Sequence, residues 1–318
     1  MDNTNITISS TPHIRSGESI QSIMRDVLIA LLPATVMGIV YFRLQALLLI
    51  VISIASAVIA EALYQKGTKQ KVTISDLSAV VTGLLLAMNI PASAPWWVPI
   101  VGSVFAIVIA KQLFGGLGQN FVNPALAGRA FLLASYPTIM TSWVTPGADA
   151  VSTATPLALL KAGSFDQLPS ITDAFLGNIG GTIGETCALA LIIGGIYLIW
   201  RGIISWRIPV IYIVTVFVLT ALIGRNGVRM PLYELCTGGL MLGAFFMATD
   251  YATSPVTAKG QIIMAVGCGL LTTLIRIFGG YPEGVSYSIL IMNLCVPLIE
   301  RYTKPTIFGA LPKEAKKA

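Results

Sequence analysis

Gly115-Gly116-Leu117-Gly118-Gln119-Asn120-Phe121-Val122-Asn123-Pro124-Ala125 joins two apolar segments, and its reading decides the fold. The three glycines permit a tight turn and a close backbone approach. Asn123 before Pro124 reads as a helix start, with an acceptor side chain at the cap and the proline ring at the first helical position. A helix that begins inside an apolar stretch is a broken membrane helix, and its first N–H groups would point at a ligand. A plain turn between two helices accounts for the glycines equally well.

Working outward, the 318 residues are 55% hydrophobic and 11% charged, with a mean hydropathy of +0.81. That composition predicts an all-α polytopic membrane protein. The apolar segments are 27–42, 44–64, 77–90, 96–113, 121–135, 182–200, 208–224, 233–248, 261–278 and 285–299. A clean span needs about 20 apolar residues, so the third, fifth and eighth are short or broken. Short, Gly/Pro-interrupted segments in both halves predict two inverted five-segment repeats, as in transporters. Phe114-Gly115-Gly116 corresponds to Phe278-Gly279-Gly280, and Thr82-Gly83 to Thr237-Gly238. The predicted layout is an arm at 1–22, a membrane domain at 23–300 and a basic tail at 301–318. Within the membrane domain, repeat one covers about 27–135, a polar segment about 136–180, and repeat two about 182–300.

Basic residues set the orientation. With the N-terminus inside, the cytoplasmic side holds Arg15, Arg25, Lys66, Lys69, Lys71, Arg201, Arg207, Lys259, Arg301, Lys304, Lys313, Lys316 and Lys317, while the outer loops hold only Arg43, Lys161, Arg225 and Arg229. Both termini are therefore predicted cytoplasmic and the 136–180 segment extracytoplasmic. The arm has no apolar core of a signal peptide. The net charge of +6 is scattered between apolar spans, which predicts a lipid environment and no nucleic-acid partner. Cys187, Cys236, Cys268 and Cys295 lie in apolar segments with no Cys-x-x-Cys pair, and His13 is the one histidine. No metal site, haem or iron–sulfur cluster is expected.

Arg129, Glu185, Glu234, Asp250 and Arg276 lie in or at apolar segments, where ionisable groups are paired or functional. Asp250 stands where Asn89 stands in the first half, and hydroxyls around it suit a cation or a solvated loop. Asn89 and Asp250 are thus residues for an ion path.

The polar segment holds Asp149-Ala150-Val151-Ser152-Thr153-Ala154-Thr155 before Pro156. Thr155 reads as the N-cap of a short helix starting at Pro156, a place that also suits phosphate.

Asp-x-x-Ser-x-Ala-Thr resembles the flavinylation motif of the RnfD/NqrB family, membrane subunits of the Rnf and Na⁺-translocating NADH:quinone oxidoreductase complexes. The Gly115–Ala125 stretch resembles that family's Gly-Gly-x-Gly-x-Asn and Asn-Pro-Ala segment; Asn-Pro-Ala occurs once here, unlike in an aquaporin. Thr153 departs from the commoner Gly. The short arm brings the chain closer to the RnfD side of the family. The resemblance implies FMN joined by a phosphoester to Thr155, with Asp149, Ser152 and Ala154 read by a flavin transferase. It further implies non-covalent riboflavin, other Rnf subunits as partners, and an ion-translocating ferredoxin:NAD⁺ oxidoreductase in the cell membrane, coupled to Na⁺ or H⁺. Gly115, Gly116, Gly118, Asn120, Asn123 and Arg129 become residues near flavin. A stand-alone solute channel or transporter would share the broken helices, and an assembly scaffold is a third reading.

Overall fold

The computed structural model describes residues 18–146, 154–185, 187–224 and 230–304. Asp149, Ser152 and Thr153, most of the arm and most of the tail lie outside the described residues. Those described form helices and loops, with one isolated bridge pairing Pro91 and Thr182 and no named strand. Among the described residues, three helices are long and apolar enough to cross a membrane: α1 (Ile20–Gly67), the run Trp97–Phe114, and α12 (Ala258–Phe278).

The 48 residues of α1 are too many for one crossing at about 1.5 Å per residue. Arg43 resolves this: its backbone leaves the helix (φ 56°, ψ −142°) between the first two predicted spans, giving arms at 20–42 and 44–67. The second arm packs on α2 (Ser78–Met88) and α3 (Trp97–Val104), and α1 also packs on α8 (Ala188–Trp200). Gly194 makes that last contact: a Cβ there would lie 2.0 Å from the Ala30 carbonyl oxygen. Gly194→Leu is therefore expected to force the two helices apart, at a cost of about 1–3 kcal/mol or more. A lowered unfolding temperature in detergent checks it.

In the second half, α9 (Arg207–Ile223), α12 and α13 (Val285–Tyr302) pack together. A buried hydroxyl triad joins them: Tyr212 to Thr272 at 2.6 Å, Tyr212 to Ser288 at 3.1 Å, and Thr272 to Ser288 at 2.7 Å. Such hydroxyl contacts hold helices together where lipid supplies no hydrophobic drive.

The predicted short segments are short in the structure. α2 ends at Met88, α4 runs only Pro124–Ser135, and α11 (Leu240–Leu242) passes into a wide turn at Gly243–Met247. A helix end buried in a membrane needs partners for its carbonyls. For α2 these come from the strand-like segment before α8: Gly184 N–H donates to Met88 O at 2.9 Å and Ile183 N–H to Ile90 O at 3.1 Å. The described residues of the polar 136–180 segment include three short α-helices, α5 (Pro137–Met140), α6 (Pro156–Ala162) and α7 (Ile171–Leu176). α10 (Pro231–Cys236) lies against α6 and α7.

Candidate functional site

Thr155 caps α6 as its sequence predicts. Its backbone is extended, its hydroxyl accepts the Ala158 N–H at 3.2 Å, and Pro156 takes the first helical position. Thr155 is buried and its neighbour Ala154 is exposed. Ala154 and Ala158 form one side of a cavity of about 390 Å³. Its other walls are Trp143, Tyr281 and Tyr287, with Leu133 and Met140 below them. The Tyr281 and Tyr287 rings stack on each other at 5.9 Å.

Arg129 reaches this cavity from α4 and is 5% exposed. Its guanidinium donates to Glu185 Oε1 at 2.9 Å, to Asn89 Oδ1 at 2.6 Å, and to Glu283 Oε2. The loop bearing Glu283 is held on both sides. Arg276 Nε donates to the Glu283 carbonyl at 2.8 Å, and Lys161 of α6 donates to the carbonyls of Gly279 and, at 2.7 Å, Gly280. Arg276 in turn pairs with Glu234 at 3.0 Å. Predicted as paired or functional, Arg129, Glu185, Glu234 and Arg276 are all paired.

A second cavity lies at the other end of α4. Asn120, Asn123, Lys111, Thr249 and Asp250 line it. Asp250 Oδ2 accepts the Thr253 hydroxyl at 3.1 Å. Lys111 is buried on Glu61 at 3.0 Å, with Ser78 at 2.6 Å from its ammonium and Gln112 donating to Glu61 at 2.7 Å. Sequence reasoning passes over Glu61 as part of a long apolar span.

The residues expected near flavin are thus divided. Arg129 joins Ala154 at the first cavity; Asn120 and Asn123 line the second, and the glycines form the turn beside it. Gly115, Gly116 and Gly118 have φ of 114°, 91° and 86°, a region that favours glycine. Asn123 caps α4 itself, accepting the Ala125 N–H at 3.0 Å and the Leu126 N–H at 3.2 Å. Two of the donors expected to face a ligand are therefore engaged within the chain. Asn89 links the two regions: its Oδ1 takes Arg129, and its amide lies 3.8 Å from Met247 Sδ, while Asn123 donates to the Met247 carbonyl at 3.3 Å.

Sequence reasoning missed Glu283. It sits in Tyr281-Pro282-Glu283-Gly284, which reads as a surface turn, yet its side chain is only 14% exposed and pairs with Arg129 of α4. Burial and the nearby Glu185 charge push the Glu283 carboxyl up to about 7, against the opposing pull of Arg129 and Arg276.

Residues 7–309 match the NQR2, RnfD, RnfE family. The chain belongs to that family. Three curated members lettered D in their complexes are similar to it. The one from the Na(+)-translocating ferredoxin:NAD(+) oxidoreductase complex of Acetobacterium woodii is 59% identical, over 99% of this chain and all of that one. Its counterpart in the proton-translocating ferredoxin:NAD(+) oxidoreductase complex of Clostridium ljungdahlii is 48% identical, over 95% of this chain and 96% of that one. The third, from the ion-translocating oxidoreductase complex of Citrobacter koseri, is 38% identical, over 95% and 98%. The NQR2, RnfD, RnfE assignment spans both cavities and the ion pairs around them, so the described site belongs to the family domain as a whole.

Proposed function

We propose that the chain is the RnfD component of an Rnf-type ion-translocating ferredoxin:NAD⁺ oxidoreductase and relays electrons through FMN joined by a phosphoester to Thr155. The observation that carries this is the position of Thr155. It caps α6 beside a cavity of about 390 Å³, within the roughly 300–1,000 Å³ usual for small-molecule sites. The cavity suits a flat aromatic group: Trp143, Tyr281 and Tyr287 offer ring faces and edges, and Arg129 offers a cation at its floor. Arg129 and Glu283 both line the cavity, so a polar edge has charged groups to meet there. FMN supplies the one- and two-electron chemistry when bound. The chain's part is to hold the attachment point by the α6 cap, to wall out water with the aromatic residues, and to fix the guanidinium of Arg129 by Glu185 and Asn89.

In the same reading the chain is a multi-pass protein of the cell membrane. Its two five-segment halves are inverted, both termini are cytoplasmic, and the α6 segment is extracytoplasmic. Asp149, Ser152 and Ala154 serve recognition by a flavin transferase, the other Rnf subunits are the partners, and riboflavin is a second, non-covalent flavin. Asn89 and Asp250 belong to an ion path. The Acetobacterium and Clostridium relatives are named for different ions, so the coupled ion is Na⁺ or H⁺.

In-gel flavin fluorescence of the denatured chain, made with and without an active flavin transferase, tests the reading. Fluorescence only with the transferase is expected, and a dark chain in both cases overturns it in favour of a plain transporter. Orientation has its own test. Asp166→Cys, in a background lacking the four native cysteines, is expected to react with a membrane-impermeant thiol reagent in intact cells. Labelling only after permeabilisation would put α6 inside.

A further inference from the structure

We infer that Glu283 is the proton-binding group of the Thr155 cavity, taking up one proton when negative charge enters the cavity and releasing it when the charge leaves; this rests on the reading that a flavin occupies that cavity. Arg129 from α4 and Arg276 from α12 meet three carboxylates: Glu185 from the segment before α8, Glu234 from α10, and Glu283 from the loop before α13. Arg276 pairs with Glu234. Arg129 is thus shared by two carboxylates, Glu185 and Glu283, in a buried setting. Two tyrosines, Tyr281 on the same loop and Tyr287 on α13, also face it, and the Lys161 ammonium from α6 is bonded to the loop carbonyls of Gly279 and Gly280. Two carboxylates crowded on one buried guanidinium repel each other, and binding a proton removes that repulsion.

Geometry selects which carboxylate takes it. Of the three, Glu283 lines the cavity. Its Oε2 is held by Arg129, while its Oε1 is buried without a hydrogen-bond partner. A carboxyl O–H there would turn an unsatisfied buried acceptor into a donor. The raised affinity of Glu283 for a proton, noted above, agrees with that choice. The step balances simply. One O–H bond forms at the carboxylate as one O–H bond of a hydronium ion at the cavity mouth breaks and leaves water, and no bond in the chain breaks. The charge it offsets is that of one electron, delivered into the cavity from ferredoxin, the iron–sulfur donor of the proposed relay.

Infrared difference spectroscopy of the purified full chain tests this through the carboxylic C=O band and its downshift in D₂O. Dithionite reduction of flavin-bearing chain is expected to produce such a band, which Glu283→Gln loses and Glu283→Asp shifts. No band in flavin-bearing chain, or a band that persists in a Glu283→Gln chain of normal size-exclusion profile, overturns the inference. A second arm needs no flavin. In Thr155→Ala the Glu283 band is expected to titrate with a midpoint near 7 and to be missing from the Thr155→Ala, Glu283→Gln double variant. Titration in the ordinary carboxylate range overturns the inference on its own. A wild-type chain that never acquires flavin sinks the flavin reading instead, and the titration arm then decides Glu283 separately.

Discussion

Made beside an active flavin transferase, Thr155→Ala is expected to lose all covalent flavin. The denatured chain should be dark in a gel, and the tryptic peptide 130–161 should lack the mass of one FMN less one water that the wild-type peptide gains. The geometry makes this a clean loss. Thr155 holds the hydroxyl that caps α6, and the two residues of this segment that line the cavity, Ala154 and Ala158, have none. Removing a cap costs about 1 kcal/mol, so the variant should insert and fold, and electron transfer through the complex should fall in step with the flavin content. Thr155→Ser keeps the nucleophilic oxygen but loses the methyl that restricts its rotamer, and partial labelling is expected. Asp149→Ala should weaken labelling without disturbing the membrane helices. Flavin retained in Thr155→Ala would move the attachment to Thr153 or Ser152.

The membrane class was readable from hydropathy, and the breaks from Gly and Pro. The stop after Met88, the cap at Asn123 and the turn at Gly115–Gly118 all occur where residue chemistry requires them. Thr155-Pro156 was legible for the same reason, since capping depends on neighbours in sequence. The cavity was not legible. Its walls come from α4, α5 and the loop after it, α6, the loop before α13 and the start of α13, which are far apart in the chain and carry no common signature. The ion pairs were half legible. Arg129 and Glu185 stand out in apolar segments, but nothing in the sequence names Arg129's second partner, because Glu283 sits in a turn that looks exposed. Lys111 and Glu61 were hidden differently. Each lies near the end of a long span, where a charge is normally taken to reach water, yet both are buried against each other.

Arg129→Met is expected to destabilise the chain by about 3–5 kcal/mol, the usual cost of stranding buried charge. Here the strand is double, because Glu185 and Glu283 both lose their cation and Asn89 Oδ1 loses its donor. The length of Met keeps most of the packing, so the loss reports charge rather than volume. The deficit should also depend on pH, with a sign fixed by Glu283. Its folded carboxyl stands at about 7, above the ordinary 4.5, even with Arg129 pulling it down. Without Arg129 it rises further, and the folded chain then binds the proton more tightly than the unfolded chain. Stability is therefore regained as pH falls through that raised value toward 4.5, and the shortfall in unfolding temperature should be larger at pH 8 than at pH 6. Adding Glu185→Gln and Glu283→Gln to Arg129→Met removes both stranded charges and should recover much of the loss. An Arg129→Met chain that unfolds like wild type at pH 8, or whose deficit grows in acid, would show that the guanidinium is not what balances the cavity floor.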